Sequence, residues 1–91
     1  MYTISRTKGF KKAVKLCIKR GLDIDKLYKA VAILASQGYL PPEYKPHKLK
    51  GEYNKSWECH IQPDWLLVWN QDDTNLTLLF INTGTHSDLF G

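Results

Sequence analysis

Residues 57–69 read Trp57-Glu58-Cys59-His60-Ile61-Gln62-Pro63-Asp64-Trp65-Leu66-Leu67-Val68-Trp69. Trp57, Cys59 and Ile61 alternate with Glu58, His60 and Gln62, the period of a strand with one buried face. Leu66 to Trp69 is continuously apolar, as a strand covered on both faces is. Between the two runs, Pro63 lacks the N–H that a ladder bond needs, so the chain turns at Pro63-Asp64. The stretch is a hairpin. It places His60 at a strand end and Asp64 in the adjoining turn, two polar groups on a rigid support.

Downstream, Gln71-Asp72-Asp73-Thr74-Asn75 is a second turn. Leu76, Leu78, Leu79, Phe80 and Ile81 then build a last long strand, and Thr83 to Gly91 closes the chain as a glycine-bearing loop with a short tail. Upstream, residues 39–56 have loop composition, with room for a short strand at His47-Lys48-Leu49-Lys50 and turn signals at Gly51 and Asn54. Further back, Phe10, Ala13, Val14, Cys17 and Ile18 recur at helical spacing after Thr7 or Lys8. Lys8, Lys11, Lys12, Lys15 and Lys19 fill the other side of that helix. Gly21 suits its left-handed cap. Asp23 or Asp25 caps a second helix that turns Ile24, Leu27, Tyr28, Val31, Leu34 and Ala35 inward and stops at Gly38, before Pro41-Pro42. Met1 to Ser5 alternates as a strand. The expected fold is α+β in one domain, residues 1–91: an N-terminal strand, a two-helix hairpin, then a three- to four-stranded, mainly antiparallel twisted sheet. The helices cover one sheet face and leave the other for function.

Composition narrows the function classes. An apolar fraction of 43% belongs to a folded globule rather than a disordered chain. No apolar run approaches the about 20 residues of a membrane helix, and Met1-Tyr2-Thr3-Ile4-Ser5-Arg6 carries no signal-peptide pattern, so a cytoplasmic protein is expected. Cys17 and Cys59 lie in no metal-ligand spacing and read as buried small hydrophobes. The net charge of +4 is unevenly spread, because residues 1–29 carry nine Lys and Arg against Asp23 and Asp25. That basic half is either a surface for a polyanion or a solvated lysine-rich helix face.

His47, His60 and His86 are dispersed, none paired at a zinc spacing, so neither a metal nor another cofactor is expected. Two imidazoles and Asp64 suit acid–base work instead. RNA cleavage through its own 2′-hydroxyl needs that set: a base, an acid for the leaving 5′-oxygen, and positive charge at the phosphorane. Ser56 and Ser87 lack a nucleophile elbow, and Gly84 stands alone rather than in a phosphate-cradling loop. Trp65, next to the turn, and Phe90, penultimate, are the aromatic rings placed to stack a nucleobase, unless they pack into the core.

The order His47-Lys48-Leu49-Lys50-Gly51, Glu58-Cys59-His60-Ile61-Gln62-Pro63-Asp64-Trp65 and Thr83-Gly84-Thr85-His86 resembles the YafQ branch of the RelE/ParE superfamily of bacterial type II toxins. The likeness runs through nearly the whole chain. It implies a ribosome-dependent mRNA endoribonuclease that cuts in the A site, is silenced by a cognate antitoxin, and needs no metal. By position it makes His47, His60, Asp64 and His86 the catalytic cluster, with His86 as general acid. It makes Trp65 and Phe90 substrate-binding, and Lys8, Lys11, Lys12, Lys15 and Lys19 the face for ribosomal RNA; Asn82, with Lys48 and Lys50 as substitutes for a missing positive charge, is expected to join the substrate-binding set. Partners are then the antitoxin, the ribosome and mRNA, with no membrane. Where family members commonly carry arginine, four residues before the last histidine, this chain has Asn82. An amide cannot brace two phosphate oxygens as a guanidinium does. The alternatives are an attenuated or silent homologue acting with its antitoxin as co-repressor, and a gyrase binder of the ParE kind.

Overall fold

The computed structural model describes residues 1–50 and 56–91; of the expected turn signals, Gly51 and Asn54 lie outside the described residues. Strand β1 (Thr3–Arg6) leads into helices α1 (Lys8–Lys19) and α2 (Ile24–Gln37). A short 3-10 turn (Pro42–Tyr44) precedes β2 (His47–Lys48), β3 (Ser56–Gln62), β4 (Trp65–Asp72) and β5 (Thr77–Gly84), and α3 (His86–Phe90) closes the chain. The strands form one sheet in the order β1-β5-β4-β3-β2. β1 runs parallel to β5 and every other pairing is antiparallel. The fold class is the one expected. The N-terminal strand joins the same sheet, so there are five strands rather than a strand set apart from three or four.

The helix boundaries follow from the chemistry of their ends. Thr7 accepts from the Phe10 N–H to open α1, and Asp23 accepts from the Asp25 N–H to open α2. Gly21 and Gly38 follow the helices at φ +83° and +80°, where a side chain is strained. α3 is a correction, because residues 86–90 read as loop and tail. Thr85 and Asp88 exchange backbone and side-chain bonds in a capping box, and Thr85-His86-Ser87-Asp88 carries that signature in plain view.

The core lies between the helices and one sheet face. Phe10 and Cys17 from α1 and Leu27, Ala30 and Leu34 from α2 meet Cys59, Trp65, Leu67, Trp69, Leu78 and Phe80. β4, central in the sheet, is buried from Trp65 to Val68 on both faces, as its apolar run required. Ile18 and Tyr28, read as inward-facing, are instead about half exposed, at 52% and 47%. Leu76 sits in the β4–β5 turn at φ 52° rather than in the strand. Both cysteines are buried and free, and burial pushes the Cys59 thiol up to about 12. No helix among the described residues is long and apolar enough to cross a membrane.

The two helix-ending glycines separate backbone strain from steric conflict. A Cβ at Gly21 meets nothing within 4 Å, whereas one at Gly38 falls 2.6 Å from the Tyr2 ring. Gly21→Ala should therefore cost about 1 kcal/mol, the price of the left-handed conformation alone. Gly38→Ala should cost clearly more, read as the difference between the two urea midpoints.

Candidate active site

Side chains alternate along β3, so Trp57, Cys59 and Ile61 pack on the core while Glu58 and His60 face the other way. The register sets what joins them there. His47 of β2 lies opposite Glu58, and Glu58 lies opposite Val68 of β4, which in turn faces Asn82 of β5. α3 brings His86 to the same face.

His60 and His86 approach with ring centroids 5.9 Å apart. The Asp64 carboxylate accepts twice from His86, from the backbone N–H at 3.0 Å and from ring Nδ1 at 2.6 Å. Those bonds, the backbone one first, hold the Asp64 carboxyl below its usual range. As an ionised carboxylate can only accept, Nδ1 of His86 carries a hydrogen and Nε2 is the atom left to exchange one. His60 Nδ1 lies 3.3 Å from the Pro63 carbonyl, again an acceptor only, so its Nε2 lone pair is free in the neutral ring.

His47 differs. Its Nδ1 meets the Lys45 carbonyl at 3.1 Å and its Nε2 meets Glu58 Oε1 at 3.3 Å. Both ring nitrogens thus face acceptors, and Nε2 is the one set against a carboxylate. Glu58 is buried, and its Oε2 has no hydrogen-bond partner among the described residues. Three histidines thus have three hydrogen-bonding settings.

The catalytic set expected from sequence shares one sheet face, and the Asp64–His86–His60 part of it is in close contact. Phe90 is 57% exposed, one helical turn beyond His86. With Asn82 it lines a 210 Å³ slot walled by Leu49, Val68, Ile81 and Leu89. Asn82 Oδ1 accepts from the Thr83 N–H at 2.9 Å. Two expected contacts are corrected. Trp65 is 1% exposed, in the core, and its indole N–H donates to Thr83 Oγ1 at 2.9 Å, so no base can stack on it. Lys48 lies opposite Trp57 with its ammonium 5.9 Å from that ring centroid, on the face away from His47. Lys50 is exposed, as are Lys8, Lys11, Lys12, Lys15 and Lys19 along the solvent side of α1.

Three residues escaped the sequence reading. Glu58 looked like an ordinary solvent-facing strand position, and only its distant partner His47 gives it a role. Arg20, at the end of α1, grips Asp88 of α3 through two bonds of 2.5 and 3.1 Å. The guanidinium, together with the Thr85 N–H, lowers the Asp88 carboxyl to about 2. Gly84, at φ +151°, lets that carboxylate close in: a Cβ there would lie 2.6 Å from Asp88 Oδ2.

Among the described residues no cluster of three or more His, Cys, Asp or Glu is arranged to hold a metal ion. Asp64 is committed to His86, and Glu58 to His47, so the donors do not converge.

A family described as the bacterial toxin of a type II toxin-antitoxin system, YafQ, matches residues 2–91. The chain belongs to the YafQ toxin family. It is 39% identical over 83 residues to the mRNA interferase toxin YafQ of Escherichia coli K12, covering 90% of this chain and 88% of that protein. YafQ in the E. coli DinJ–YafQ complex superposes with a TM-score of 0.91 at 36% identity, covering 100% of both chains. A metal-bound toxin from Helicobacter pylori superposes with a TM-score of 0.89 at 43% identity, covering 99% of this chain and 100% of that one.

For this YafQ-family toxin the Arg20–Asp88 pair has a pH signature. Asp88 is less acidic when unfolded, near 3.9, so its stabilisation is present above about pH 4 and is lost as pH falls towards 2. Asp88→Asn should cost about 1 kcal/mol at pH 7, a figure kept small because Arg20 is 41% exposed. The difference from wild type should shrink as pH falls below 4 and be lost only below about pH 2 in urea titrations.

Proposed function

We propose that this toxin is an mRNA endoribonuclease that works on the ribosome, cutting in the A site by attack of the RNA's own 2′-hydroxyl. The observation that carries the reading is the pairing of His60 and His86, 5.9 Å apart, one backed by a carbonyl and the other by the Asp64 carboxylate. His60 Nε2 takes the 2′-hydroxyl proton as the oxygen attacks the adjacent phosphorus. His86 Nε2 gives its proton to the departing 5′-oxygen, leaving a 2′,3′-cyclic phosphate and a free 5′-hydroxyl. Asp64 holds His86 in the tautomer and orientation this needs. His47, held in place by Glu58, orients the phosphate. The scheme is complete without a metal. Phe90 and the slot beside it seat the base next to the cut.

The name of the E. coli relative, mRNA interferase toxin, supports the substrate class. The DinJ complex supports a cognate antitoxin as partner here. An acidic antitoxin segment suits the lysine face of α1, which in the active toxin lies on ribosomal RNA. Asn82 favours a slowed version of this activity: an amide in place of a guanidinium weakens the hold on the phosphorane.

Primer extension on programmed ribosomes tests the reading. Wild type should give codon-phased cuts that persist when transition metals are removed by a chelator selective for them over the Mg²⁺ that ribosomes need. His86→Ala should lose about 10²–10⁴-fold in single-turnover rate, with ribosome binding unchanged in a pelleting assay. Asn82→Arg should raise the rate by about 10²-fold. No cuts from a ribosome-bound wild type would shift the reading to a silent co-repressor.

A further inference from the structure

Among the described residues β2 pairs with β3 at Trp57 and Glu58 only, and no described strand covers the outer edge of β3 from His60 onward. Two clefts open along that edge, and His60 and Ile61 line both. The larger, 330 Å³, runs from His60 past Tyr44 to Lys26 and Lys29 on α2. The smaller, 260 Å³, passes Pro63 and Lys45. Glu43 is the one acid lining either cleft, against three lysines. Lys26 and Lys29 are exposed and belong to α2, apart from the lysine face of α1. Nothing in the proposed chemistry at His60 and His86 uses them.

We propose that Lys26 and Lys29 form a phosphate subsite for the message itself, holding the backbone on the 5′ side of the cut. The inference rests on the endoribonuclease reading. There, His60 serves the 2′-hydroxyl and His86 the departing 5′-oxygen. The nucleotide bearing the 2′-hydroxyl therefore lies on the His60 side, and the leaving nucleotide lies towards His86 and Phe90. A strand continuing 5′ from His60 enters the cleft that Lys26 and Lys29 flank. Two ammonium groups three residues apart on one helix face can meet successive phosphates, and Tyr44 supplies an apolar wall. The positive excess is the right sign for a single strand, and Glu43 keeps it modest enough to release product.

The test is the same ribosome assay with Lys26→Ala/Lys29→Ala. KM should rise roughly tenfold at 0.15 M salt with single-turnover rate unchanged, and the slope of log KM against log salt should fall by about 1.4, two single-strand contacts. Lys26→Arg/Lys29→Arg should restore both. Messages carrying one neutral methylphosphonate linkage at a time locate the contact. The lysine penalty should disappear when the neutral linkage is the first or second 5′ of the cut. A penalty that survives at every message linkage places the lysines on ribosomal RNA and overturns the proposal. So does a penalty lost only at a 3′ linkage, or no penalty at all. Wild-type cuts on the unmodified message keep failure of this subsite distinct from failure of the nuclease reading.

Discussion

Across the β3–β4 ladder Cys59 faces Leu67, Glu58 faces Val68 and His60 faces Leu66. Because the side-chain period is two, that register sends Cys59, Leu67 and the tryptophans to the helix side and Glu58 and His60 to the opposite side. A slip of β3 by one residue would put a carboxylate and an imidazole into the core and expose the Trp57 indole. The cost of either error fixes the register more firmly than any single hydrogen bond. The position of the polar face is therefore a by-product of core packing. The stacked pair Trp57 and Trp69, at 6.2 Å, belongs to the same locking.

The last helix depends on a different constraint. α3 has five residues, too few to persist by itself. It is held by the Thr85–Asp88 capping box, by the two bonds from Arg20 and by the absence of a side chain at Gly84. Arg20 ends the lysine-rich α1, so the element with the basic face is tied directly to the element carrying His86. One carboxylate, Asp88, serves as cap and as anchor. Asp64 completes the arrangement from the turn that Pro63 enforces, reaching His86 from 22 residues away.

The fold was legible where a local pattern had a single physical reading. Strict alternation at residues 57–62, the unbroken apolar run at 66–69 and the glycines at 21 and 38 each excluded competing structures. The site was legible as residue types and only partly as geometry. Trp65 adjoins a turn in sequence, but β4 is central and its first residue is already under α1 and α2. Lys48 neighbours His47 in the chain, yet neighbours in a strand take opposite faces, which turns Lys48 away from the site. Glu58 could not be read from its own neighbourhood, since its partner lies on another strand.

His47, His60 and His86 show how little the residue name decides. Each has a hydrogen-bond partner at Nδ1, but the partners are a carbonyl, a carbonyl and a carboxylate. The difference for His47 lies at Nε2, where buried Glu58 has one oxygen unpartnered among the described residues. A buried carboxylate is expensive unless it shares a proton or a charge. Its contact with His47 Nε2 at 3.3 Å offsets part of that cost and ties the His47 ring to the sheet. The two remaining rings keep their outer nitrogens, and they are the two that stand side by side. The difference between the rings thus lies in the acceptors behind each one, which the sheet register and the Pro63 turn put in place.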